Sequence, residues 1–185
     1  MKSEILHLLR HADGYVSGQQ LCETFGVSRT AVWKVINQLK EEGYVIDSVQ
    51  NKGYRITEYP DIITASEIES LLLDDSGNMQ GICRHIQYFD KTDSTNNQAK
   101  LAAEKNAPEG TLFVAECQTG GRGRRGKTWE SPAGSGIWMS LLLRPDISPE
   151  SASMLTLVLA VAMVDAINEE VQDAKCYVKW PNDIV

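Results

Sequence analysis

Ten consecutive residues, Gly120-Gly121-Arg122-Gly123-Arg124-Arg125-Gly126-Lys127-Thr128-Trp129, bring four glycines and four cations together in a chain whose formal net charge is −7. That composition suits anion binding. Glycine lets the backbone turn through φ > 0 and bring N–H groups close to a ligand. Successive N–H groups form a concave anion nest, and arginines add charge-assisted hydrogen bonds matched to phosphate. A solvated basic loop or a flexible nucleic-acid tether would have the same composition, so the neighbouring residues decide.

Further polar groups lie where sites are usually built, in loops and at strand ends. Asp93-Ser94-Thr95-Asn96-Asn97 is a polar turn that opens a helix; its plain role is capping. Gln118 directly precedes the Gly/Arg segment, and Gly134-Ser135-Gly136 leads a strand. Lys179 is flanked by Val178 and Trp180, so it points outward at a sheet edge or is held inward for chemistry.

The elements that must position these groups follow from hydrophobic periodicity. Ile82 to Phe89 reads as a strand, and the helix opened by Ser94 runs to about Asn106. Thr111 to Cys117 is a buried strand that delivers the chain into the Gly/Arg loop. Ser131 to Gly136 is a loop before the strand Ile137 to Leu143. Pro149 starts a helix running to about Val171, apolar on much of its surface and so expected to be buried against a sheet. Cys176 to Trp180 is a last strand closed by Pro181.

The first 58 residues have a different pattern. Ile5, Leu6, Leu8 and Leu9 stripe a first helix, and Ser17 caps a second from Gly18 to Phe25. Gly26-Val27-Ser28 is a tight turn, and Ser28 caps a third helix with Val32, Val35, Ile36 and Leu39 on one face. Two strands, Tyr44 to Ile46 and Tyr54 to Ile56, flank a hairpin tip at Asn51-Lys52-Gly53. This is a winged helix-turn-helix pattern. Ser28, Arg29, Thr30, Lys34 and Asn37 are residue types that reach phosphates and base edges, and Lys52 sits at the wing tip. Docking onto a protein is the alternative use of such a helical hairpin, and Trp33 is either core or surface. Glu58-Tyr59-Pro60-Asp61 reads as a linker, and Thr64-Ala65-Ser66-Glu67 as a capping box starting a helix to about Leu73.

Residues 1–58 carry seven charges of each sign, so the remainder carries the whole −7. Bulk charge therefore does not argue for nucleic-acid binding; local arrangement must. The first residues lack the apolar stretch of a signal peptide. The longest apolar run, Met154 to Val164, is shorter than the ~20 residues a bilayer needs. Cys22, Cys83, Cys117 and Cys176 are widely spaced with no CxxC, which argues against a zinc site or a disulfide framework. Each is expected to be a small core residue in a reducing cytosol, and the protein to be cytoplasmic.

Asp93-Ser94-Thr95-Asn96, Gln118, Gly121 to Gly126, Gly134-Ser135-Gly136 and Lys179-Trp180-Pro181-Asn182-Asp183 together resemble, in the same order, the motifs of biotin–protein ligases. The winged helix resembles that of the bifunctional bacterial members, which also repress biotin genes. The resemblance implies an α+β chain: a winged helix-turn-helix domain over 1–58, a linker and helix start over 59–66, and the ligase domain over 67–185. Members continue beyond this point with further strands and a small β-barrel domain, so the chain reads as a fragment or truncated product.

The resemblance also implies chemistry. Biotin and ATP, with Mg²⁺, would give biotinyl-5′-adenylate, which passes biotin to a carrier-domain lysine of a biotin-dependent carboxylase. Ser94, Thr95, Asn96 and Gln118 would hold biotin; Arg122, Gly123 and Arg124 would close over it; Arg124, Arg125, Trp129 and Asn182 would contact the nucleotide. Lys179 would also bind biotin through its carboxylate; Lys179, Arg122 and Arg124 would be catalytic, with Asp183 a weak candidate for the metal and no tightly bound metal expected. Operator DNA, and a homodimer formed with adenylate bound, would be its partners, with no membrane. A repressor that senses biotin without catalysis, and a lipoate–protein ligase, are the alternatives.

Overall fold

The computed structural model describes residues 1–123, 126–171 and 173–185, which pack as two compact units, Met1–Leu143 and Arg144–Val185. The first unit begins with α1 (Lys2–His11), α2 (Gly18–Phe25) and α3 (Arg29–Glu41), followed by β1 (Val45–Val49) and β2 (Gly53–Glu58). Both expected caps form: Ser17 Oγ accepts the Gln20 N–H at 3.0 Å and Ser28 Oγ accepts the Ala31 N–H at 3.2 Å. Gly26 ends α2 with φ +63, a conformation that favours glycine. Ile5, Leu6 and Leu9 meet Leu21, Val32, Val35, Ile36 and Leu39 in one buried cluster, which Tyr44, Ile46 and Ile56 of the hairpin region complete. Each fully buried large apolar side chain there contributes about 1.5–3 kcal/mol of transfer free energy.

The wing is held at a third edge that the sequence did not announce. Val16 exchanges both backbone hydrogen bonds with Tyr54, each at 2.9 Å. Gly53 makes this approach possible, since a Cβ there would lie 2.6 Å from Ser17 Cα. Gly53 therefore starts β2 rather than forming part of the tip.

Next comes α4 (Ala65–Leu72), a helix with two working faces. Ile68 and Leu72 pack with Cys83, Leu112, Val114, Ile86 and Tyr88. On the side facing the winged helix, Arg10 Nη2 donates to Glu67 Oε1 at 2.5 Å, Tyr44 Oη donates to Glu67 Oε2, and the Arg10 guanidinium lies 4.6 Å from the Tyr59 ring centre. The expected capping box is thus half-formed. Thr64 Oγ1 accepts the Glu67 N–H at 3.2 Å, but the Glu67 carboxylate is drawn to Arg10 and Tyr44, a charge-assisted pairing that outcompetes a neutral backbone N–H.

The chain continues through β3 (His85–Phe89), α5 (Thr95–Glu104), β4 (Thr111–Ala115), β5 (Gln118–Arg122), β6 (Thr128–Ser131) and β7 (Trp138–Leu142). β3 and β4 are parallel, so a crossover is required and α5 makes it; β7 joins the other edge of β4 antiparallel, giving the order β3-β4-β7. All five residues of β4 are buried, as its unbroken apolar run requires of a central strand. The Gly/Arg segment differs from the expected loop: β5 and β6 pair antiparallel, with Gly121 opposite Trp129 and Arg122 opposite Thr128. The β6 strand was hidden in sequence because Thr128-Trp129-Glu130-Ser131 is too short for a visible alternation.

The second unit holds a 3₁₀ turn (Pro149–Ser153), α6 (Met154–Glu170) and a short ribbon of β8 (Val178–Lys179) and β9 (Asp183–Ile184). The last strand is thus shorter than expected. Burial of α6 is not observed: only Ala160 is buried, while Met154, Val158, Leu159, Val161 and Met163 are exposed. Over Pro149–Glu170 the helical segment is also long and apolar enough to cross a membrane by length and composition, because it extends past the Met154 to Val164 run, itself interrupted by Thr156, at both ends. Of the cysteines only Cys83 is buried; Cys22, Cys117 and Cys176 are half-buried, and all four are free.

Candidate functional site

The backbone after β3 runs beside β5. The Thr92 N–H donates to Cys117 O at 3.1 Å, the Thr119 N–H to Thr92 O at 2.9 Å, and the Gly120 N–H to Asp93 O at 2.7 Å. This pairing sets the start of α5 against Gln118. The Thr95 N–H donates to Gln118 Oε1 at 2.8 Å, and the Thr95 hydroxyl lies 3.1 Å from the same oxygen. Thr95 Oγ1 also lies 2.9 Å from Ser140 Oγ on β7, and Gln118 Nε2 donates to Ser131 Oγ at 3.0 Å. Four polar side chains from α5, β5, β6 and β7 thereby form one connected wall.

Asp93 stiffens the turn in front of it. Its carboxylate accepts from Asn97 Nδ2 at 2.6 Å and Gln98 Nε2 at 2.9 Å. These bonds, Asn97 foremost, with the Ser94 N–H and Thr92, push the Asp93 carboxyl down to about 2. Ser94 is the N-cap residue of α5 but its side chain caps nothing. It is 2% exposed, and among the described residues its hydroxyl has no hydrogen-bond partner. A hydroxyl with its donor and acceptor capacities unspent beside a polar wall can give both to a ligand. Asn96 is exposed and takes no part in the wall.

The hairpin closes one side. Gly121 sits so close to β6 that a Cβ there would lie 2.7 Å from Ser131 Oγ and nearer still to the Trp129 carbonyl oxygen. The Gly123 N–H donates to Lys127 O at 2.7 Å and draws the tip together. Arg122 is exposed opposite Thr128. Arg124 and Arg125 lie outside the described residues. Trp129 is 59% exposed, and with Gln118, Thr119, Gly121 and Ser131 it lines a cavity of roughly 370 Å³. Its free indole face offers a stacking surface.

Gly134 serves a plainer purpose: it turns with φ +69 and its N–H donates to Glu116 Oε1 at 2.8 Å. Lys179, Asn182 and Asp183 belong to the second unit. Lys179 is exposed and pairs across the ribbon with Asp183, whose Oδ1 accepts from Asn182 Nδ2 at 3.1 Å. Among the described residues no three His, Cys, Asp or Glu side chains converge on a metal-sized site, so Asp183 offers one carboxylate and no ready-made Mg²⁺ cage.

A second surface lies on the winged helix. Arg29, Thr30 and Lys34 are exposed on α3, Trp33 is 57% exposed and therefore surface, and Asn37 is half-buried. Ser28 Oγ is spent as the cap. Lys52 Nζ stands 5.7 Å from the Tyr15 ring centre, a cation–π distance that steadies the tip. Arg29, Gln19, Asn51 and Lys52 line a groove of roughly 530 Å³ between the helices and the wing. Sequence reasoning missed Ser131 and Ser140 in the wall. Ser140 was within reach of it, since period-two alternation puts Ser140 on one side of β7 with Trp138 and Leu142.

The biotin/lipoate A/B protein ligase family matches residues 88–185, and a helix-turn-helix domain matches residues 2–55. The bifunctional ligase/repressor BirA of Bacillus subtilis is 42% identical over 186 aligned residues, covering 100% of this chain and 55% of the relative. The Escherichia coli protein of the same name is 34% identical over 98% of this chain and 53% of its own length. The chain thus spans about half the length of the curated relatives it matches. The solved biotin protein ligase of Aquifex aeolicus in complex with biotin and ATP aligns with TM-score 0.46 and 36% identity, over 54% of this chain and 40% of that one.

Proposed function

Because this chain belongs to the biotin/lipoate A/B protein ligase family, with a helix-turn-helix domain ahead of the ligase segment, we propose that it binds biotin, activates it with Mg-ATP and represses biotin genes. The domain division proposed is 1–58 for DNA, 59–66 as linker and helix start, and 67–185 for ligation. In the first step a biotin carboxylate oxygen attacks the α-phosphorus of ATP and pyrophosphate leaves. In the second a carrier-domain lysine amine attacks the acyl carbon and AMP leaves.

The observation that carries this reading is the wall of Thr95, Gln118, Ser131 and Ser140 with the unspent Ser94 hydroxyl beside it. Such a wall suits the fused ureido ring of biotin, which presents one carbonyl acceptor flanked by two N–H donors. Arg122, Gly123, Arg124 and Arg125 would close over carboxylate and phosphate, whose mutual repulsion cations and N–H donors offset. Trp129 would stack on adenine. Lys179 would stabilise charge on the transferring oxygens, with Asn182 and Asp183 orienting phosphates. Mg²⁺ enters with ATP as part of the substrate. The proposed homodimer would place two copies of α3 on a two-fold operator.

Incubation with biotin, Mg-ATP and a biotin carrier domain, followed by mass spectrometry of the carrier, tests ligation directly. A carrier heavier by one biotin is the expected result. Biotin binding by calorimetry with an unmodified carrier would favour the sensor-repressor reading. Absence of biotin binding would overturn the site itself.

A further inference from the structure

His7 and His11 stand one turn apart on α1, in the run His7-Leu8-Leu9-Arg10-His11, with ring centres 4.3 Å apart. The i,i+4 spacing places both imidazoles on one helix face, the spacing by which helices present two nitrogens to one metal ion. The second ring nitrogens are already committed. His7 Nδ1 lies 2.8 Å from the Ser70 carbonyl oxygen on α4, and His11 Nδ1 lies 2.9 Å from the His7 carbonyl oxygen. A carbonyl oxygen only accepts, so each Nδ1 must carry the proton. In the neutral rings both Nε2 atoms then carry lone pairs, and among the described residues neither has a hydrogen-bond partner. A histidine whose Nδ1–H is tied to a backbone carbonyl is the usual supported form of a metal ligand.

The two rings line a cavity of roughly 490 Å³ together with Glu4, Asp74 and Asp75. Asp74 is held below the usual carboxylate range, chiefly by the Asn78 backbone N–H, with the Ser76 N–H assisting. It therefore supplies a standing negative charge near the imidazoles. We propose that His7 and His11 form a two-nitrogen chelate for an exchangeable borderline transition-metal ion such as Ni²⁺, Cu²⁺ or Zn²⁺, at the contact between α1 and α4. No third ligating side chain among the described residues closes the site, so water completes the coordination. Two fixed imidazoles make an open, labile site rather than a structural one. Because His7 also holds Ser70 O, an ion there stiffens the joint between the winged helix and the rest of its unit.

Titration of the full chain with Ni²⁺ by calorimetry tests this, comparing His11→Ala, His7→Ala and His85→Ala. One site is expected, with affinity falling at least tenfold in His11→Ala and in His7→Ala and unchanged in His85→Ala. His11 is exposed and its Nδ1 bonds only its own helix, so His11→Ala folds whatever befalls His7→Ala. Long-range imidazole NMR of the metal-free chain should show both rings as Nδ1–H tautomers. Ni²⁺ binding untouched by His11→Ala, binding abolished only by blocking the cysteines, or an Nε2–H tautomer at either ring overturns the proposal.

Discussion

Substituting Gly121→Ala tests whether the β5–β6 contact positions the polar wall. The new methyl would lie 2.7 Å from Ser131 Oγ and closer still to the Trp129 carbonyl oxygen. Both are held in place, the first by Gln118 Nε2 at 3.0 Å and the second as backbone of β6. A carbon–oxygen pair needs several tenths of an ångström more, so β6 must retreat. Overpacking of this kind costs about 1–3 kcal/mol, and loosening the Ser131–Gln118 bond adds roughly 1 kcal/mol. If the hairpin bears this loss locally, it appears as weaker biotin binding, by roughly thirty- to a thousandfold at 1.4 kcal/mol per decade.

Gly120→Ala is the internal control. Its Cβ would lie 3.3 Å from Asp93 O, a contact that a small shift relieves. The expected order of lost affinity is therefore Gly121→Ala far above Gly120→Ala, read by calorimetry with biotin. Urea denaturation alongside distinguishes local opening from global loss. Equal effects of the two substitutions would refute the reasoning, because the only large difference between them is the clash with β6.

Glu67→Gln should lower stability by about 3 kcal/mol in urea denaturation at unchanged m-value, since it removes one partner of an ion pair whose side chains are 19% and 16% exposed; a change below 0.5 kcal/mol would remove the Arg10–Glu67–Tyr44 joint as a stabilising feature. The Asp93 carboxyl, followed by its carbon chemical shift, should titrate near 2, and Asn97→Ala should raise that midpoint. Its folded value lies below the ordinary 3.8, so its stabilising contribution is whole above about pH 4 and disappears as pH falls through 2; a wild-type midpoint near 3.8 would contradict the staple at this turn. Arg29→Ala should weaken operator binding and lower the slope of log affinity against log salt by about 1, the loss of one phosphate contact. An unchanged slope would take Arg29 off the phosphate backbone.

The winged helix was almost wholly legible in sequence, because its determinants are local: Ser17 and Ser28 as caps, Gly26 as a stop, and one apolar face on each helix. Its third edge was not legible, since Val16 pairs with Tyr54, 38 positions further along the chain, with no pattern of its own. In the ligase segment the loop residues that carry the motifs were visible as types, yet their partners were not. Ser131 joins Gln118 only because the Gly/Arg segment folds into a hairpin, and Ser140 joins Thr95 only because β7 pairs with β4. The exposure of α6 ran against expectation for a different reason: an apolar surface all round says a helix can be buried, and does not say by what.

Counting protons around the wall shows what it has left to offer. Gln118 Oε1 already accepts the Thr95 N–H. The Thr95 hydroxyl has one hydrogen, so when it is given to Gln118, the Ser140 hydroxyl must be the donor in the Thr95–Ser140 contact. Gln118 Nε2 spends one N–H on Ser131 and keeps the second, while the Ser131 hydroxyl lies 3.3 Å from Trp129 O. What remains is one amide donor from Gln118 and both capacities of the Ser94 hydroxyl, with acceptor lone pairs on Ser140. The wall therefore favours a ligand that carries a carbonyl oxygen next to an N–H, and it has fixed its own side chains before that ligand arrives. Prior ordering of this kind removes part of the entropic cost of binding. A carboxylate in place of the Gln118 amide would accept at every atom, withdraw the donor that Ser131 now accepts and set a negative charge against a ligand's carbonyl oxygen.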